Sequence, residues 1–222
     1  LMALAGGNLI ATDQCVETIT AINILNAVAG ALGKTIRFFD QDPAEVASHR
    51  EINKLISDLN SGQIKLLIID DSNPVYALPP SMEFVKAMKK SFVVSIASQK
   101  SETTHAANLV MPALTAYESW GDAYPRSGVR SIQQPVMSPV NMFDAKAREN
   151  ILLNAVQKIN QNAFSGITTY QEYLQNKWRK IHSEIGNSDN FENFWISVLE
   201  NGGLFQKPEF SRVKLSRNVT SQ

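Results

Sequence analysis

Two short apolar runs, Ile64 to Ile69 and Phe92 to Ser98, with an amphipathic stretch between them, constrain this chain most. Their length and branched side chains suit strands buried on both faces. The first run stops at Asp70-Asp71-Ser72-Asn73-Pro74, where the proline biases Asn73 away from helical geometry. Ser81 to Lys90 sets Met82, Phe84, Val85 and Met88 on one broad helix face. Strand, crossover helix and strand make a right-handed parallel unit, with functional loops at the carboxyl ends of the strands. Leu109 to Met111 supplies the centre of a further strand, so the fold class is α/β.

The flanks extend this pattern. Met2 to Ala5 reads as a first strand, closed by Gly6-Gly7-Asn8. Glycine there suits either a close approach of ligand to backbone or a simple tight turn. Cys15 to Leu32 carries Ile19, Ile22, Leu25, Val28 and Leu32 at helical spacing, with Gly33 as its cap. Thr35 to Phe39 reads as a second strand ending at Asp40-Gln41-Asp42-Pro43. Asp40 is open between a ribose acceptor and a turn residue. Asp42-Pro43 reads as the cap of an amphipathic helix from Pro43 to Leu59. Five strands therefore predict a Rossmann-like open parallel sheet with helices on both faces over 1–140.

Val75 to Pro80 reads as an extended linker, and Ala113 to Val140 as a long irregular loop that docks on a ligand or partner. Asp144 to Asn160, Thr169 to Ile185 and Asn190 to Glu200 predict three helices, a helical C-terminal extension over 141–222 packed on the first domain. Lys207 to Gln222 reads as an edge strand or a frayed tail. His49 and His105 stand without a second ligand-type residue at metal spacing and read as solvated or structural histidines.

Four pieces in order carry a resemblance: Asp71-Ser72-Asn73-Pro74-Val75-Tyr76, Ser101-Glu102-Thr103-Thr104, Ala107-Asn108-Leu109-Val110-Met111-Pro112-Ala113 and Glu118-Ser119-Trp120-Gly121-Asp122. The series resembles the molybdopterin oxidoreductases, the dimethyl sulfoxide reductase superfamily. Leu25-Asn26 and Gly30-Ala31-Leu32-Gly33-Lys34-Thr35 are similar to a helix ending of the same family. Glu118 to Asp122, Ile132-Gln133-Gln134-Pro135 and Phe191-Glu192-Asn193-Phe194-Trp195 look more like the molybdopterin-oxidoreductase-like subunit of alternative complex III, a bacterial respiratory quinol oxidoreductase. The resemblance implies an internal or C-terminal fragment of a longer protein. Its partners would be the other domains of that chain and respiratory-complex subunits, on the periplasmic side of a bacterial inner membrane.

What the resemblance implies for function divides. In a catalytic enzyme, Gly6, Asn8, Asp40, Asn73, Glu102 and Thr103 would line a crevice for molybdopterin guanine dinucleotide. In the respiratory subunit the same domain would keep the fold without the cofactor. Ala97 and Asn108 stand where the family often has Asp, and Ala97 together with the Glu118-Ser119-Trp120-Gly121-Asp122 variant favours the second reading. An unrelated nucleotide-binding α/β domain is the third.

Composition narrows the partners. Twenty-one basic against twenty-one acidic residues leave no net charge, which argues against a nucleic-acid surface. No apolar run approaches the ~20 residues needed to span a bilayer. Cys15 is the only cysteine, so no internal disulfide or four-cysteine cluster is expected. Without a nucleophile–base pair, a ligand cluster or a P-loop, no metal site and no catalytic residue is expected in this segment, which should be inert by itself.

Overall fold

A computed structural model describes residues 2–4, 15–37, 47–140, 143–186 and 190–207. The chain divides into two compact units, Leu1–Ala44 with Tyr124–Val129 and Phe205–Gln222, and Glu45–Ala123 with Arg130–Leu204.

In the first unit, α1 spans Cys15–Val28. Its Asn26 is buried and exchanges two hydrogen bonds with Ala3, accepting from the amide at 2.8 Å and donating to the carbonyl at 2.9 Å. One asparagine thus satisfies an extended segment that has no ladder of its own. The strand expected from Met2 is not formed over 2–4, because this pairing is to a side chain. Nor does Thr35 begin a strand over 35–37. Gly33 at φ 77° turns the chain so tightly that Ile36 forms only an isolated bridge with Leu32.

The second unit contains the parallel sheet. Its elements are α2 (His49–Asn60), β1 (Leu66–Asp70), α3 (Pro74–Ala77), α4 (Phe84–Met88), β2 (Phe92–Ala97), α5 (Glu102–Ala106) and β3 (Leu109–Pro112). Strand order is β1-β2-β3, all parallel, with Leu67 opposite Val93 and Val94 opposite Leu109. Alternation sends Ile69 and Val93 to one face, where Ile56 and Leu59 of α2 and Phe84, Ala87 and Met88 of α4 cover them. Val94 and Ile96 face the other way, against Ile151 and Leu152 of α6 (Arg148–Ile159). The expected parallel pairing of the two apolar runs, with helices on both faces, is therefore formed. Among the described residues this sheet has three strands rather than five.

Several boundaries differ from expectation for identifiable reasons. The helix expected from Pro43 starts at His49, where Ser48 and Glu51 form a reciprocal capping box. The expected linker after Asn73 begins with α3, Pro74 fitting its first turn. The single helix expected over 81–90 is broken at Glu83, whose φ of 49° separates a 3-10 turn at Pro80–Met82 from α4. The helix expected from Asp144 starts only at Arg148, because Lys146 first bridges to Ala113.

The region expected to be an irregular loop contains a hairpin, β4 (Gly121–Arg126) and β5 (Val129–Gln133), turning at Ser127-Gly128 with Gly128 at φ 79°. A short strand, β6 (Gly203–Phe205), completes a second sheet in the order β4-β5-β6. Gly203 has φ 145°, and a Cβ there would press into the Arg130 carbonyl. Only glycine allows that approach. Below lie α7 (Tyr170–Glu184) and α8 (Phe191–Asn201), whose Leu174, Trp178, Ile181, Phe194, Trp195 and Val198 form one core with Ile132. The C-terminal aromatics are thus packing residues.

Candidate functional site

Parallel neighbours β1 and β2 end at the same edge, so the loops that follow them face each other. Between the loops lies a crevice of about 500 Å³ lined by Asp71, Ser72, Asn73 and by the segment from Ala97 to Glu102. Of the six residues singled out above, Asn73, Glu102 and Thr103 meet here, although about 30 positions separate the first from the other two. Gly6, Asn8 and Asp40 lie outside the described residues.

The three that meet are engaged with one another. Asn73 Nδ2 donates to Glu102 Oε2 at 2.7 Å. Asn73 Oδ1 accepts from Thr103 N at 3.2 Å and from Thr103 Oγ1 at 2.8 Å. Thr103 is fully buried, and its Oγ1 also accepts from Val75 N at 3.2 Å. Ser101 caps α5 in a reciprocal arrangement with Thr104. The Asn73 hydrogen bond, then the amide of Glu102 itself, holds the Glu102 carboxyl below its ordinary range.

An amide inventory follows directly. At α5, Thr103 N goes to Asn73, Thr104 N to Ser101 Oγ, and His105 N to the Ser101 carbonyl. At α3, Pro74 has no N–H, Val75 N goes to Thr103, and Tyr76 N and Ala77 N go to the Asn73 carbonyl. Six N–H groups at the two junctions are thus engaged within the chain, those of Val75, Tyr76 and Ala77 at α3 and of Thr103, Thr104 and His105 at α5. His105 accordingly stays structural, its Nδ1 lying 2.7 Å from the Ser101 carbonyl.

Charge points the same way. Asp71 and Glu102 line the crevice, and Lys100 is its one lining cation. Asp71 adopts φ 43° and accepts from Arg148 Nη1 at 2.9 Å. Burial pushes the nearby Asp70 carboxyl up. Arg148 opposes that shift, and Glu149 and Asp71 add to it. Arg148 is the residue that sequence reasoning missed, since nothing local marks a pairing partner 77 positions away. The arrangement can accept hydrogen bonds, through Glu102 Oε1 and the Asp71 carboxylate. For the diphosphate of a dinucleotide the lining side chains fit poorly, because two carboxylates, Asp71 and Glu102, face a single cation, Lys100. No group of three His, Cys, Asp or Glu residues suited to a metal ion occurs among the described residues.

Comparison with known proteins gives one family. No curated protein matches the chain significantly. The family model of the molybdopterin oxidoreductases matches residues 6–154, a span that holds the parallel sheet, the crevice and the hairpin. With well over half its length inside that match, the chain belongs to the molybdopterin oxidoreductase family.

Proposed function

We propose that this chain is a structural domain of a respiratory electron-transfer protein of the family, the equivalent of that domain in the molybdopterin-oxidoreductase-like subunit of alternative complex III. In this reading the Rossmann-like framework joins neighbouring domains and subunits on the periplasmic side of a bacterial inner membrane, and binds no dinucleotide. The observation that carries it is that six N–H groups at the two strand-to-helix junctions, those of Val75, Tyr76, Ala77, Thr103, Thr104 and His105, are already engaged within the chain. The carboxylates along the crevice support it further. No helix among the described residues is long and apolar enough to cross a membrane.

Calorimetric titration of the chain with guanosine diphosphate tests the reading. Binding is expected no tighter than about millimolar, an affinity near −4 kcal/mol. A micromolar dissociation constant, lost in a folded Asn73→Ala variant, would overturn it. That result would favour the second reading, a dinucleotide-binding domain of a catalytic molybdenum enzyme. Glu102 Oε1 and Asp71 support that alternative, because they match the amino edge of a purine. Assay of molybdenum and pterin in the native complex separates the two readings independently.

A further inference from the structure

Among the described residues, β1 is the outer strand of the parallel sheet and pairs only with β2. Phe92 N donates to the Lys65 carbonyl and Asp71 N to the Ile96 carbonyl, each at 2.9 Å. Bonding residues alternate along such a ladder, so the odd-numbered residues from Lys65 to Asp71 turn their backbone groups toward β2. The N–H and C=O groups of Leu66, Ile68 and Asp70 turn outward, and none is bonded among the described residues. A row of this kind is a template for one more strand.

Side chains point to the same edge. Ile151 and Leu152 of α6 pack on Val94 and Ile96. On that face Leu66 is left 54% exposed, Ile68 46% and Phe92 52%. The strand is also polarised in charge, with an exposed Lys65 before it and the exposed Asp70 and Asp71 at its end. Asp71 gives Oδ2 to Arg148 and keeps Oδ1.

We propose that this edge pairs with β1 of a second copy of the chain, antiparallel about a twofold axis at Ile68. In that register Leu66 and Asp70 of each copy exchange backbone bonds with Asp70 and Leu66 of the other. Ile68 does the same with its own equivalent, so every outward group of the strand is bonded. Val94 and Ile68 of one copy then run into Ile68 and Val94 of the other as one apolar row. Lys65 comes opposite Asp71 of the second copy at both ends, where an in-register parallel pairing would set like charges together. The strand is complementary to itself in one direction only. This pairing is independent of the dinucleotide question, because it uses the sheet edge and not the amides of α3 and α5.

The test is sedimentation equilibrium on the whole chain, with amide exchange measured at several concentrations. A reversible dimer is expected, with a dissociation constant of about 10–100 μM, as suits a small interface. Protection of the Leu66, Ile68 and Asp70 amides should rise with chain concentration. Ile68→Lys, at an exposed position on the axis, should abolish the dimer. Lys65→Glu should weaken it about fivefold or more, and so should Asp71→Lys. Mixing those two variants should restore association, since each end then joins unlike charges. Ile68→Lys still decides the matter if Asp71→Lys fails to fold. The proposal falls if the chain stays monomeric to about 1 mM. It falls equally if the three amides are protected alike at every concentration, which would assign the edge to another strand of the same chain. A dimer that survives in folded Ile68→Lys, or charge variants that do not rescue each other, would also overturn it.

Discussion

Removing the Asn73 side chain should be costly for the fold, and the cost can be worked out group by group. Asn73→Ala strands two donors of Thr103, its amide and its hydroxyl, on a residue that is fully buried. A buried donor left unmade costs about 1–3 kcal/mol, and relaxation within the loop recovers part of it. The Glu102 bond adds little, because Glu102 is exposed and water replaces the partner. Asn73 makes no side-chain bond to the amides of α3, so no capping loss enters. The expected total is about 2–4 kcal/mol. For a chain of this size that corresponds to a melting temperature lower by roughly 5–15 °C. Asn73→Asp keeps acceptors for both Thr103 donors but sets a carboxylate against Glu102, so its loss should be smaller and should narrow on acidification. Denaturant titration at unchanged slope is the assay. An Asn73→Ala variant within about 0.5 kcal/mol of the unmodified chain would refute the reasoning, as that is the range of ordinary surface changes. So would Asn73→Asp being as unstable as Asn73→Ala at neutral pH.

Three further outcomes are expected. Gly203→Ala should destabilise by about 2–5 kcal/mol, combining overpacking against the Arg130 carbonyl with backbone strain, and a thermal melt within error of the original would contradict the close approach. Asp70→Asn should stabilise at neutral pH, because a carboxyl whose pKa is raised by folding is a liability above its folded pKa. The advantage should vanish below about pH 3.8, where the group is protonated in both states. The opposite sign holds for Glu51, Glu102, Glu118 and Glu172, whose carboxyls are held low chiefly by bonds from Ser48, Asn73, Val140 and Thr168. Their contribution is present above pH 4.5 and lost as pH falls through their folded values, so stability should drop below that point and Glu118→Gln should flatten the drop.

What could be read from the sequence divides along the range of the interactions. The three parallel strands were legible because branched apolar runs of that length have few other uses. Helix starts were legible where the cap is local: Thr169 and Glu172 form a reciprocal box, and α7 begins where expected. The same signature at Ser48 and Glu51 was available to correct the start of α2, but Asp42-Pro43 drew the reading upstream. The break at Glu83 has no such mark, since its left-handed backbone leaves no trace in residue type. Nor was the hairpin visible. Gly121-Asp122-Ala123-Tyr124-Pro125-Arg126 lacks an alternating apolar face, and its proline is tolerable because β4 is at the edge of its sheet.

For the site, topology was readable but engagement was not. Adjacent parallel strands oblige the loop at Asn73 and the loop at Ser101 to meet, whatever residues they carry. The Asn-Pro and Ser-Glu-Thr-Thr pieces that signal the family are therefore explained by the architecture alone: one asparagine ties the start of α3 to the start of α5. In bracing the two loops, the motif spends the Asn73 amide, the Thr103 amide and hydroxyl and one Glu102 oxygen on bonds within the chain. Groups along the crevice with capacity left over include Glu102 Oε1, the Asp71 carboxylate and Lys100, which the bracing bonds leave unused.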